Sequence, residues 1–256
     1  MRSLRLLPKG EASANAVRSQ KKSQNSSAPK KLLISREVFQ MHIAYAKASI
    51  WVKDNSFGKS WRTERMKQFM DLVKPPKKAR IIDLGGFPNM WKWFDHDFDI
   101  TLVNLPGSYT TTGKIGDFTF VEGDATNLSN TFADKSFDIV FSNSVIEHVG
   151  NEEKQAAFAA EVRRLGQGYW VQTPSDRWPL EPHSGVLFYW NLPQSVRESL
   201  HRSWEKKLPV WTEMVKGTTV ISRKQMTELF PDSSLYIERK LLLEKSYAVY
   251  RPFPSA

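Results

Sequence analysis

Five short apolar runs between residues 79 and 173 alternate with helical segments, and this alternation restricts the fold more than any other feature of the chain. The runs fall at 79–84, 99–104, 118–122, 137–142 and 168–173, with helices expected near 89–94, 152–165, 193–204 and 222–229. Short apolar strands bounded by turn residues and alternating with helices predict a parallel sheet covered by helices on both faces. The stretch SLYIERKLLLEKSYAVYRPF breaks the rhythm. It reads as two strands, 235–243 and 246–251, with almost nothing between them. A parallel crossover needs a dozen residues or more, so this pair has to be antiparallel. The expected fold is a doubly wound α/β domain, mainly parallel, closed by a C-terminal antiparallel hairpin.

Upstream of the sheet, Val38, Phe39, His42, Ile43, Tyr45, Ala46 and Ile50 make an apolar stripe at three-to-four spacing, as a helix would. A second helix is expected over 61–73, with Met66, Phe69, Met70 and Val73 on one face, stopped by Pro75 and Pro76. Residues 1–34 have no such period and are read as a disordered basic tail, because they bury too little to offset the entropy of ordering. The domain proper is taken as 35–256, with a helical lead-in over 35–75 and a core over 79–252.

Charge follows this division. The formal net charge is +10, but residues 1–33 hold eight Lys or Arg against one acid, Glu11, so most of the excess lies in the tail. The folded part is only mildly basic, and nucleic acid is not expected as its partner. There is no cysteine, which removes disulfides, thiolate nucleophiles and cysteine-ligated zinc. No run of 18 apolar residues exists, so no membrane span is expected. A cytoplasmic location is expected, although the Ser- and Arg-rich tail also has the composition of an organelle transit peptide.

In open α/β sheets ligands sit beyond the carboxyl ends of the strands, near the point where strand order reverses. After the first strand comes Asp83-Leu84-Gly85-Gly86-Phe87-Pro88-Asn89. Its glycines permit positive φ and let a ligand approach the backbone. Asn104 ends the second strand, 21 residues after Asp83, near the spacing at which a polar residue meets a cofactor ribose. Asp124 and Ala125 follow the third strand; Ser142 and Asn143 end the fourth, with Glu147 and His148 just beyond.

Taken in order, ARIIDLGGFPN, FVEGDATNL and FDIVFSNSVIEHVG resemble the class I S-adenosylmethionine-dependent methyltransferases, with the small-molecule, type 11-like branch the nearer match. The resemblance spans roughly residues 60 to 252 and implies a Rossmann-like, seven-stranded sheet with S-adenosyl-L-methionine as cofactor. It implies that Asp83 and Gly85 line the methionine end, with Gly86 in the turn of this cofactor loop, and that Asn104 faces the ribose. Asp124 and Ala125 would meet the adenine, and Ser142 and Asn143 would stand near the sulfonium. Two departures stand out: Phe87 and Asn89 replace further glycines, and Asn104 replaces an acid, losing charge-assisted grip on the ribose.

The loop DLGGFPNMW is also similar to the Asp-Leu-Gly-x-x-Pro-Gly-Gly-Trp turn of the heat-shock-type ribosomal RNA 2′-O-methyltransferases. Those enzymes carry an aspartate where this chain has Ser142-Asn143. A third reading is a methyltransferase-fold partner protein that no longer binds cofactor. A nicotinamide dehydrogenase fits least, lacking G-x-G-x-x-G.

Methyl transfer from a sulfonium is an in-line displacement in which the protein mainly supplies alignment, and a base helps when the acceptor is a hydroxyl or a protonated amine. His148 and His183 are the candidates, the latter within TPSDRWPLEPHSGVLFYWNLP, an irregular segment after the fifth strand. That segment holds several aromatics but a single basic residue, Arg177, which favours a small acceptor over a stacked nucleic acid. The expected reaction is therefore methyl transfer to a small molecule, at oxygen rather than nitrogen. Glu147, Glu181 and His183 suit a divalent ion chemically, but their sequence spacing does not define a ligand set, and no metal is expected.

Overall fold

The structure, a computed structural model, describes residues 56–92, 94–109 and 112–254. The expected tail over 1–34 and the helical stripe between 36 and 50 lie outside the described residues. The elements in chain order are α1 (Ser56–Val73), β1 (Arg80–Leu84), α2 (Pro88–Trp91), β2 (Asp99–Asn104), β3 (Gly113–Ile115), β4 (Phe118–Glu122) and β5 (Phe137–Asn143). A 3-10 turn (Ile146–His148) leads to α3 (Glu152–Leu165) and β6 (Gly166–Pro174). A second 3-10 turn (Tyr189–Asn191) precedes α4 (Gln194–Glu205), α5 (Pro209–Lys216), α6 (Arg223–Leu229), β7 (Ser234–Lys240) and β8 (Leu243–Arg251).

Eight strands form one sheet in the order β3-β4-β2-β1-β5-β6-β8-β7. The five from β4 to β6 are parallel; β3 on β4 and the β7–β8 hairpin are antiparallel. This is the expected sheet with one extra edge strand: β3, three exposed residues that fold back on β4. Strand order reverses at β1, which pairs with β2 on one side and β5 on the other.

Parallel strands buried on both faces need apolar residues in both phases, and β1 supplies them. Ile82 and Leu84 face a core completed by Phe158, Val162 and Leu165 of α3 and Met226 of α6. Ile81 faces the opposite core, with Met66, Phe69 and Val73 of α1 and Trp91 of α2. Local signals set the helix bounds. Asn151 caps α3 by accepting from the Lys154 backbone N–H, Glu152 and Glu153 occupy its first turn, and Arg163 and Arg164 its last. Ser222 and Gln225 form a capping box on α6. The two-residue turn Leu241-Leu242, both at positive φ, joins β7 to β8.

One buried ion pair ties α1 to the sheet. The Arg65 guanidinium donates to Glu238 Oε2 through Nε at 3.0 Å and Nη2 at 2.7 Å, and Nη1 reaches Asn143 Oδ1 at 2.7 Å. Burial alone would raise the Glu238 carboxyl, but Arg65, Lys245 and the Ser246 hydroxyl hold it at about 2. Removing Arg65 leaves Glu238 with Lys245 and Ser246 alone and takes the donor from Asn143 Oδ1, so Arg65→Met should cost about 1–3 kcal/mol in chemical denaturation. The Glu238 contribution is present above its ordinary 4.5 and is lost as pH falls toward 2. Glu238→Gln should therefore flatten the acid limb of the stability–pH curve.

Candidate functional site

The turn after β1 is built around a buried carboxylate. Asp83 is 2% exposed and accepts from Trp91 Nε1 at 2.7 Å. Burial pushes its carboxyl up to about 7, with the Trp91 bond pulling the other way. The group lies directly under Gly86: a Cβ there would sit 1.9 Å from Asp83 Oδ2. Gly85 takes φ +79, and a Cβ on it would come within 2.4 Å of Val145 Cγ2. Both glycines are thus required by close approach, the first also by its left-handed backbone.

Asn104, at the end of β2, belongs to the same loop. Its amide donates to Gly86 O at 2.8 Å and to the Tyr109 hydroxyl at 2.7 Å, and Tyr109 donates to Gly86 O at 3.0 Å. Phe87, half exposed, packs edge-on against Tyr109 with ring centroids 5.7 Å apart. The backbone then links the strand ends in turn: Gly85 N–H to Val103 O at 2.7 Å, and Gly123 N–H to Asn104 O at 2.8 Å. Asp124 follows at once. Its Oδ1 accepts from the Thr126 N–H at 2.9 Å and hydroxyl at 2.7 Å, and Lys154 Nζ lies 3.6 Å from Oδ2. Partial burial works against ionisation, but these bonds and Lys154 hold the carboxyl below its usual range. Ala125 sits beside it at the edge of the α3-side core.

Other expected residues stand elsewhere on the rim. Ser142 is fully buried, and its hydroxyl donates to Leu84 O at 3.1 Å, stitching β5 to β1. Asn143 accepts from Arg65. Asp83 supports the loop from beneath. Ser142 and Asp83 therefore face the fold, whereas Gly85, Gly86, Asn104, Asp124 and Ala125 line one edge.

Beyond β5 and β6 lies a second polar cluster. Ser144 turns the chain at φ +57, and the following 3-10 turn presents Glu147 and His148 together. His148 Nε2 lies 3.0 Å from His183 Nε2, and His183 Nδ1 lies 2.7 Å from Glu181 Oε1. Glu181 is buried and also accepts from the backbone N–H groups of His183 and Ser184. Desolvation would raise its carboxyl, but His183 and Ser184 keep it below the ordinary value. Burial, with His183 adding to it, lowers His148 to about 4, and burial raises Glu147 to about 7. Glu147 Oε2 accepts from Thr173 Oγ1 at 3.0 Å, whereas Oε1 is buried with no hydrogen-bond partner.

α5 and the segment after it pin this cluster. Thr218 Oγ1 meets His148 Nδ1 at 3.3 Å, the Thr219 N–H donates to Glu147 O at 2.8 Å, and Trp211 Nε1 donates to His183 O at 3.2 Å. Glu147, Thr173, Glu181, His183, Trp190 and Thr218 line a pocket there. The ligand-capable atoms of Glu147, His148 and His183 lie within 4.8 Å of one another. The sequence expectation had grouped Glu147 with Glu181 and His183 and found no ligand spacing; the fold puts His148 in the set and Glu181 behind His183. Thr218, Tyr109, Trp91 and Arg65 were not anticipated. Nothing in sequence pointed to Thr218 or paired Arg65 with Glu238.

Residues 96–168 match the family model described as a methyltransferase domain. Uncharacterized proteins of two strains of Mycobacterium tuberculosis are 24% identical over 155 residues, 57% of this chain, and the chain spans 51% of their length. The sheet superposes on an S-adenosylmethionine-dependent methyltransferase from Archaeoglobus fulgidus (TM-score 0.52, 10% identity, 78% of this chain and 97% of that one). It also superposes on phosphoethanolamine N-methyltransferase 2 of Haemonchus contortus in complex with S-adenosyl-L-methionine (TM-score 0.51, 15% identity, 80% and 45%). Residues 96–168 thus match a methyltransferase-domain model, and the mainly parallel sheet with its C-terminal antiparallel hairpin has the Rossmann-like fold of these structures.

Because Asp83 is locked by Trp91, Gly86→Ala cannot be accommodated by a simple side-chain swing. It should destabilise the protein by about 1–3 kcal/mol, the usual cost of overpacking a tight site, read as a fall in melting temperature.

Proposed function

We propose that this protein transfers the methyl group of S-adenosylmethionine to a small-molecule acceptor, at hydroxyl oxygen in preference to nitrogen, by in-line displacement. The observation that carries the reading is the linked rim, in which Gly85-Gly86, Asn104 and Asp124 are joined strand by strand along the carboxyl edge at the reversal of strand order. In this reading Gly85 and Gly86 leave room for the methionine portion and Asp83 holds their turn in place. Asn104 and Tyr109 set the ribose side; Asp124 and the Ala125 backbone meet the adenine. Ser142 fixes the spacing of β1 and β5, and Asn143 closes the sulfonium side under Arg65.

His183 lines the neighbouring pocket, with His148 in contact with it at 3.0 Å, and these are the groups proposed to activate the acceptor. The pocket carries Trp190 and the carboxylates of Glu147 and Glu181, with no Lys or Arg among the described residues that line it, which suits a compact polar acceptor better than a nucleic-acid strand. Ser142-Asn143 also stands where the RNA-directed constellation needs an aspartate. Among the described residues no helix is long and apolar enough to cross a membrane.

One observation favours the cofactor-free partner reading instead: the Asn104 amide is already committed to Gly86 O and Tyr109. Thermal shift decides between them. S-adenosylmethionine or S-adenosylhomocysteine at 100 times its dissociation constant should stabilise the protein by about 2.7 kcal/mol, and NAD should not. A flat response to both sulfur nucleosides would overturn the methyl-transfer reading and favour the partner one. Asp124→Ala should weaken cofactor binding about tenfold, the loss of roughly one hydrogen bond to a charged acceptor, while leaving the fold intact. His183→Ala should lower turnover far more than cofactor affinity; the reverse pattern would remove it from the acceptor side.

A further inference from the structure

We propose that Glu147, His148 and His183 form a binding site for a divalent transition ion of the zinc class, with Glu181 orienting His183 from behind.

Proton accounting leads there. A carboxylate only accepts, so the His183 proton sits on Nδ1, facing Glu181 Oε1 at 2.7 Å. Thr218 has one hydroxyl proton, and it goes to Met214 O at 2.9 Å. The Thr218 oxygen must then accept from His148, whose proton also sits on Nδ1, 3.3 Å away. Both Nε2 atoms are left as bare lone pairs, and they face each other at 3.0 Å. Two lone pairs at that separation repel unless a cation lies between them. A proton would satisfy the histidine pair alone. It would leave Glu147 Oε1 unanswered, a buried carboxylate oxygen without a hydrogen-bond partner, on a residue 2% exposed. One metal ion answers all three once it draws the side chains together, since the donor atoms already converge within 4.8 Å of one another.

The donor set selects the ion. Two imidazole nitrogens and one carboxylate oxygen suit zinc and its first-row neighbours, whereas magnesium and calcium take oxygen ligands. A carboxylate on the far nitrogen of a ligating histidine is the usual way its ring is held and its basicity raised, and Glu181 occupies that place. The scaffold is set in advance, because Thr218, Thr219 and Trp211 brace the ligand-bearing segments from one side. Three protein ligands leave a fourth position open toward the pocket, as in catalytic rather than structural sites. That this position receives the acceptor hydroxyl and lowers its pKa rests on the methyl-transfer reading; the binding of the ion does not.

The test uses the full chain after chelator treatment and dialysis, titrated with Zn²⁺ by calorimetry and with Co²⁺ by visible absorption, with Mg²⁺ as the oxygen-preferring control. The expected result is one equivalent of Zn²⁺ or Co²⁺ per chain, d–d bands on Co²⁺ addition, and no uptake of Mg²⁺. His148→Ala and His183→Ala should abolish the bands, Glu147→Gln should weaken binding at least tenfold, and Glu181→Gln should weaken it about 10–100-fold. His201→Ala, which lies outside the cluster, should change nothing. Should Glu147→Gln fail to fold, the Glu181→Gln and His183→Ala titrations decide. Absence of binding to the parent chain, or an undiminished equivalent in both histidine variants, overturns the site. Neither readout involves methyl transfer. A chain that binds zinc but moves no methyl group would therefore sink the proposed reaction and leave the ion site standing.

Discussion

The central constraint on this molecule is the position of β1. It is the strand from which the parallel sheet grows in both directions, toward β2 and β4 on one side and β5 and β6 on the other. Chain segments leaving β1 and β5 must therefore diverge to opposite faces, and a crevice opens between them that no connection crosses. The buried hydroxyl of Ser142, bonded to Leu84 O, holds the two strands together at the floor of that crevice. The candidate site residues are arranged around it: the glycine turn and the Asn104 and Asp124 ends on one side, and the Glu147–His148–His183 cluster on the other.

The two sides solve different physical problems. On the first, polar groups are satisfied locally. Asp83 is answered by Trp91, Asn104 by Gly86 and Tyr109, and Asp124 by Thr126 and Lys154. A bound nucleoside would have to exchange some of these bonds, and the Phe87–Tyr109 contact stands over the loop where smaller residues would leave more room. On the second side the opposite holds. Donor atoms converge with too few protons among them, inside a framework fixed by neighbouring backbone. The first side is poised for a ligand that competes with internal hydrogen bonds; the second has an unmet electrostatic demand.

Much of the fold could be read directly. Strands 99–104 and 118–122 and helix 152–165 fall where the apolar period and turn residues put them, and the tight C-terminal connection required an antiparallel hairpin. Two elements escaped. β3 is three exposed residues whose only reason to extend is the edge of β4, and α5 is eight residues opened by Pro209, too short for its period to stand out. The rim residues were legible because strand ends are where open sheets bind ligands. Their individual duties were not. Whether Asp83 faces a ligand or the floor depends on Trp91, eight residues on, and the role of Ser142 depends on the register of β5 against β1. The His148–His183 meeting joins positions 35 residues apart through an irregular segment, a contact that no local periodicity encodes.

Position 86 has a consequence for the history of such a chain. Its missing side chain is filled by the carboxylate of residue 83, so the two sites share one small volume. A lineage can enlarge residue 86 only after residue 83 has shrunk or turned away, and it can lengthen residue 83 only while 86 stays bare. The pair must be inherited jointly, and drift at either place alone meets a steric wall.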